Sequence, residues 1–149
     1  MGLIDEVRPG PVGLDTPVFI YFIEEERRFL SILKPIFEAI DGGTLEGVTS
    51  GLTLLEVLVT PYRAGNLPLA EEYEALLTRS RGLRLVDLDR GVLRNAALLR
   101  ATLGMKPPDA IQVAAALAAG CPAFVTNDRK IPAVPGLKIL QLRDYLQSP

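Results

Sequence analysis

The chain alternates two hydrophobic patterns. Short apolar runs bounded by turn residues read as buried strands, and they fall at 12–14, 45–49, 83–88, 123–125 and 137–142. Between them, apolar residues recur every three or four positions, the spacing of a helix with one buried face. Residues 18–24 are strand-forming by type, but Asp15 followed by Pro17 suits a helix start, so a helix is expected there. Residues 29–40 carry an apolar stripe in which Pro35 predicts a kink or break. Ser50 and Gly51 turn into a helix whose Leu52, Leu55, Leu58 and Val59 are expected to face the core, with Glu56 among them. A loop over 61–67 and an amphipathic helix over 68–79 follow. Asp89 is a plausible cap for a helix over 91–103, which Gly104 ends, and Pro107 and Pro108 open the next. Residues 143–147 read as a short helical tail. Residues 1–11, polar with Pro and Gly, read as a flexible tail outside the domain.

Short strands separated by helices imply an α/β fold, a mostly parallel sheet with helices on both faces. Ala110, Ala114 and Ala118, spaced four apart, would let their helix sit close on that sheet.

Composition narrows the chemistry. A chain of 149 residues, 48% hydrophobic and 23% charged, suits one ordinary globular domain. Its net charge of -2 demands no polyanion, so any nucleic-acid contact needs a local basic patch. The lone cysteine, Cys121, excludes an internal disulfide and reads as a small buried hydrophobe. With no histidine, a His-based triad or His-rich zinc site is excluded. The most apolar window, about 110–125, is interrupted by Gln112, Gly120 and Pro122 and is too short to cross a bilayer. The N-terminus lacks a signal pattern, so the expectation is a soluble, cytoplasmic protein with no membrane contact.

The remaining chemistry is acidic. Asp15 and Asp128 each follow a short apolar strand directly, which sends both to the carboxyl edge of a parallel sheet, where binding sites lie. Asp109 opens the helix that feeds the Asp128 strand, although helix starts can lie at either edge, so its side stays open. Glu56 is a carboxylate in an otherwise apolar helical run, rarely buried unless paired or metal-bound. Singly, each has an ordinary explanation as a cap, dipole partner, turn or surface residue. Gathered, four acids would repel strongly unless a divalent cation neutralised them, and oxygen-only ligands select Mg²⁺ or Mn²⁺. Such a site suits phosphoryl chemistry and needs no side-chain nucleophile.

The blocks LDTPVFIYFIE (14–24), TLLEVL (53–58), PPDAIQVAAAL (107–117) and VTND (125–128) resemble the PIN-domain family, particularly its VapC-type ribonuclease toxins. With the intervening pattern they cover nearly the whole chain. The resemblance implies a single PIN-like domain over 12–149, with a parallel five-stranded sheet between helices and an acidic pocket for Mg²⁺ or Mn²⁺. It makes Asp15, Glu56, Asp109 and Asp128 the catalytic acids, with Asp15, Asp109 and Asp128 holding metal directly or through water. Thr16, Thr126 and Asn127 would position them by hydrogen bonds. Pro17 departs from the Ser or Asn of many relatives. The implied activity is endoribonuclease, as the toxin of a type II toxin–antitoxin pair, with RNA as substrate, a cognate antitoxin and a homodimer as partners. Arg129 and Lys130 are the first candidates for RNA phosphate contacts, followed by Arg27, Arg28, Arg79 and Arg81. Two rivals are a non-catalytic PIN-like scaffold binding RNA or a partner, and a metal-dependent phosphotransfer domain using Lys106 or Lys130.

Overall fold

A computed structural model describes residues 2–146. The chain begins with α1 (Leu3–Val7), β1 (Val12–Leu14), α2 (Thr16–Ile23) and α3 (Arg27–Asp41), then β2 (Gly47–Ser50), α4 (Gly51–Arg63) and α5 (Leu67–Arg79). It continues with β3 (Leu83–Val86), α6 (Arg90–Leu103), α7 (Pro107–Ala118), β4 (Ala123–Thr126), β5 (Lys138–Gln141) and a 3₁₀ turn, Leu142–Tyr145. The strands form one parallel sheet in the order β3-β2-β1-β4-β5. The chain builds outward from β1 to β3, then returns to the other side of β1 with β4. The switch in direction therefore lies between β1 and β4, the point at which an open α/β sheet characteristically leaves a crevice beyond its strand ends.

Side-chain alternation divides the core. Val12, Leu14, Val125 and Leu140 pack with α1, α2, α3 and α5 on one face. Val48, Phe124 and Leu137 pack with α6 and α7 on the other. Gly13 lies between Phe124 and Ala116, where an added Cβ would come within 2.7 Å and 2.8 Å of their atoms. The missing side chain is what lets α7 lie this close to β1. Ala110 and Ala114 are buried in the same seam, whereas Ala118 is exposed, so the small-residue stripe is shorter than its spacing suggested.

Several expectations change. Residues 1–11 are not a loose tail through their length, because Leu3 and Val7 in α1 are buried at 2% exposure. Burying two such side chains is worth about 1.5–3 kcal/mol each. Lys138 Nζ at 3.0 Å and the Tyr145 hydroxyl both donate to Glu6, tying the helix down further. Helix α3 runs on through Pro35 because Phe29, Leu33, Ile36, Phe37 and Ile40 are all buried around it, outweighing a proline cost of about 3 kcal/mol. Helix α4 likewise passes through Pro61 into the stretch expected to be a loop.

The rotation of α4 also differs. Thr53, Val57 and Pro61 are buried, while Leu55 and Val59 are 61% and 41% exposed. The Thr53 hydroxyl has partners inside, so it takes the inward position and Leu55 is turned out. Two strands are shorter than their apolar runs, β3 stopping at Val86 and β5 at Gln141. The expected tail helix is the 3₁₀ turn, and Gln147 lies outside the described residues. Among the described residues, no helix is long and apolar enough to cross a membrane.

Candidate functional site

Asp15 stands at the crevice between β1 and β4. Its backbone N–H donates to Val125 O at 3.0 Å, extending the ladder one residue past β1, and its side chain caps α2. Oδ1 accepts the Thr16 N–H at 2.9 Å, and Oδ2 accepts the Thr126 hydroxyl at 2.7 Å. The residue is only 7% exposed. Burial raises its pKa above the ordinary aspartate value, the two hydrogen bonds oppose that, and the charges of Glu56 and Asp128 push it up again.

Thr126 ties this acid to the next. Its Oγ1 also accepts the Asp128 N–H at 3.0 Å, so one hydroxyl links the strand end to the loop beyond it. Asp128 Oδ1 accepts the Lys130 N–H at 2.9 Å, closing a tight turn. Gln141 Nε2, from the end of β5, donates to Asp128 O at 3.0 Å.

The side of Asp109 is now decided. Helix α7 returns antiparallel to the β4 it precedes, so its first turn lies over the carboxyl edge of the sheet. Gln112, one turn past Asp109, makes bonds to Ser50 at the end of β2 and to Thr16 at the start of α2. Pro107 and Pro108 occupy the first two helical positions and Asp109 the third. Burial, the nearby charges of Asp128 and Asp15, and the approach of the Asp128 carboxyl together raise Asp109 to about 6.

Glu56 reaches the same crevice from α4, and the Thr16 hydroxyl donates to its Oε1 at 2.6 Å. Beneath that contact lies a buried polar network. Gln112 Nε2 donates to Thr16 Oγ1 at 3.0 Å and Thr53 Oγ1 at 2.8 Å, while Gln112 Oε1 accepts the Ser50 hydroxyl at 2.9 Å. Thr49 contacts Thr53 at 2.7 Å and donates to Leu14 O at 2.9 Å. Sequence reasoning named Thr16 and Thr126 but missed Ser50, Thr49, Thr53, Gln112 and Gln141. The available signal was Gln112 itself, one amide in an alanine-rich buried helix.

The other candidates divide. Asn127 Nδ2 donates to the Tyr21 hydroxyl at 3.3 Å and makes no hydrogen bond to the acids, so it is anchored beside the site. Arg129 pairs with Asp144 at 2.7 Å and Arg28 with Glu26 at 3.0 Å, all four side chains partly or largely exposed. Lys130 is exposed just past Asp128, and Arg27 is exposed at the start of α3. Arg79 and Arg81 line a cavity of about 790 Å³ with Phe22, Phe37 and Leu76, away from the acids.

The site thus gathers Asp15, Asp109, Asp128 and Glu56 from four elements. Among the described residues, no three acidic or cysteine side chains already stand at the spacing of one ion's coordination shell. The donor chemistry still fits a hard divalent cation: all oxygen, buried at Asp15, and mutually repelling.

A family model described as PIN domain matches residues 12–137. No curated protein matches the sequence significantly. Among solved structures, VapBC2 from Rickettsia felis bound to a promoter DNA fragment aligns at 16% identity with a TM-score of 0.68, covering 87% of this chain and 97% of that one. DNA-bound VapBC from Salmonella typhimurium aligns at 22% identity and a TM-score of 0.63, covering 89% and 98%. VapC20 from Mycobacterium tuberculosis, a Sarcin-Ricin loop cleaving toxin, aligns at 15% and 0.64, covering 80% and 91%. At these identities the structures speak for the fold, and the family match adds the sequence: the chain belongs to the PIN-domain family.

Proposed function

We propose that this protein is a Mg²⁺- or Mn²⁺-dependent endoribonuclease, the toxin of a type II toxin–antitoxin pair acting in the cytoplasm. The observation that carries the reading is the meeting of Asp109 and Asp128 beside the buried Asp15 at the sheet's switch point, with Glu56 facing the same crevice. Asp15, Asp109 and Asp128 would hold the ion directly or through water. When bound, it would supply charge to neutralise the phosphate and acidify an attacking water. Thr126 and the Thr16 N–H fix the orientation of the Asp15 carboxylate, and Glu56, held by the Thr16 hydroxyl, would accept a proton from that water. Lys130, exposed two residues past Asp128, would be offered to an RNA phosphate.

The partners belong to the same reading. Relatives of similar fold include a toxin–antitoxin complex from Klebsiella pneumoniae, which supports a cognate antitoxin here. The homodimer extends it, to be checked by sedimentation of the purified chain. Purified protein should cleave RNA with Mg²⁺ or Mn²⁺, stop with EDTA and lose activity in Asp15→Asn. An Asn variant as active as wild type would refute the assignment.

A further inference from the structure

We propose that Gln112 is a positioning residue that sets the direction of the Thr16 hydroxyl and thereby aims Glu56 into the crevice. The inference rests on the nuclease reading for its kinetic arm, while the hydroxyl protons of the network fix the direction of each bond. The Leu14 carbonyl can only accept, so it takes the single hydroxyl proton of Thr49. Thr49 must then accept from Thr53 across their 2.7 Å contact, which commits the Thr53 proton. The carboxylate of Glu56 is also an acceptor only. Its 2.6 Å contact with Thr16, the length of a charge-assisted O–H···O⁻ bond, takes the Thr16 proton.

Both threonine oxygens that face Gln112 are thereby left as acceptors. They match the two N–H groups of Nε2, at 3.0 Å and 2.8 Å, which leaves Oε1 for the Ser50 hydroxyl at 2.9 Å. Ser50 Oγ in turn accepts the Leu52 N–H at 3.2 Å. The carboxamide therefore has one orientation, and the order of donation runs from Gln112 to Thr16 to Glu56. The 3.2 Å approach of Thr16 to Thr53 carries no proton. Gln112 is 3% exposed, and Thr53 is fully buried, so water has no ready route to replace either partner. Without the carboxamide, Thr16 can turn its proton elsewhere, and Glu56 loses the contact that fixes its rotamer.

Two measurements test this. In RNA cleavage, Gln112→Met is expected to lower kcat by about tenfold to a hundredfold, the scale of a misplaced catalytic group, with KM for RNA unchanged. In a Glu56→Gln background the same change should have little further effect, and an equal loss in both backgrounds would overturn the proposal. In metal-free ¹⁵N-labelled protein, the Gln112 side-chain NH₂ protons should exchange slowly and shift on Glu56→Gln. Fast exchange, or no shift, would also overturn it. The second measurement needs no change at Gln112, so it stands even where Gln112→Met fails to fold. If wild type cleaves no RNA, the nuclease reading falls while the NMR result still decides the positioning.

Discussion

The two sides of the crevice are built differently. On the β1 side, Asp15 has a hydrogen-bond donor on each carboxylate oxygen, and Glu56 is held by Thr16 over a buried network. On the α7 side, Asp109 has the Asp128 carboxyl as its neighbour, and its pKa rises to about 6. One side is organised by the protein alone; the other is a repulsion that a cation would relieve. Preorganisation and binding energy are thus separated within a few residues, and each side should respond to a different perturbation.

The largest expected effect is on catalysis from the organised side. Asp15→Asn should lower RNA cleavage at least about a hundredfold, the equivalent of about 3 kcal/mol of transition-state charge stabilisation. Mg²⁺ tests the other side. At about a hundred times its dissociation constant it should stabilise the fold by about 2.7 kcal/mol, read as a rise in Tm. Asp109→Asn should abolish that rise while raising Tm in EDTA, because it removes the repulsion. A variant that lost stability in EDTA would erase the contrast between the two sides.

Thr126→Val should cost about 1–3 kcal/mol in urea unfolding, since it removes a buried donor to Asp15 and the acceptor for the Asp128 N–H. The pH response follows from Asp109. Its folded pKa of about 6 lies above the ordinary value of about 3.9, so the protonated form favours folding. Stability in EDTA is therefore fully present below about pH 4 from this group and falls as pH rises through 6, Asp15 adding in the same direction. Thermal melts in EDTA between pH 4.5 and 7.5 should show the fall, and Asp109→Asn should flatten it. The smallest change is Arg129→Ala, expected to alter stability by no more than about 0.5 kcal/mol because its pair with Asp144 is exposed.

How much of this was legible in the sequence differs by element. The strand ends at Asp15 and Asp128 were readable because a short apolar run stopping at an acid states both burial and edge. Asp109 could not be placed the same way, since the edge reached by a helix start depends on how α6 and α7 pack. The resemblance to the PIN family supplied the grouping, and the Gln112 bonds to Ser50 and Thr16 supply its physical reason. Helix α4 was misread in rotation because leucine at 55 outweighed threonine at 53 in a hydrophobic pattern. Periodicity cannot see that a hydroxyl has its partners waiting inside. Residues 1–11 were misread for a related reason: Leu3 and Val7 are too few to form a pattern, yet both are buried against the core.

The paired prolines that open α7 have a consequence for what this crevice can attract. A helix start ordinarily offers free N–H groups that cradle an anion. Pro107 and Pro108 have no N–H, and the Ala110 N–H is already given to Lys106 O. The helix end beside Asp109 is left nearly bare of donors. A phosphate arriving there finds no backbone cradle, so under the proposed nuclease reading a nucleic acid strand would have to be drawn in by the ion rather than by the peptide chain.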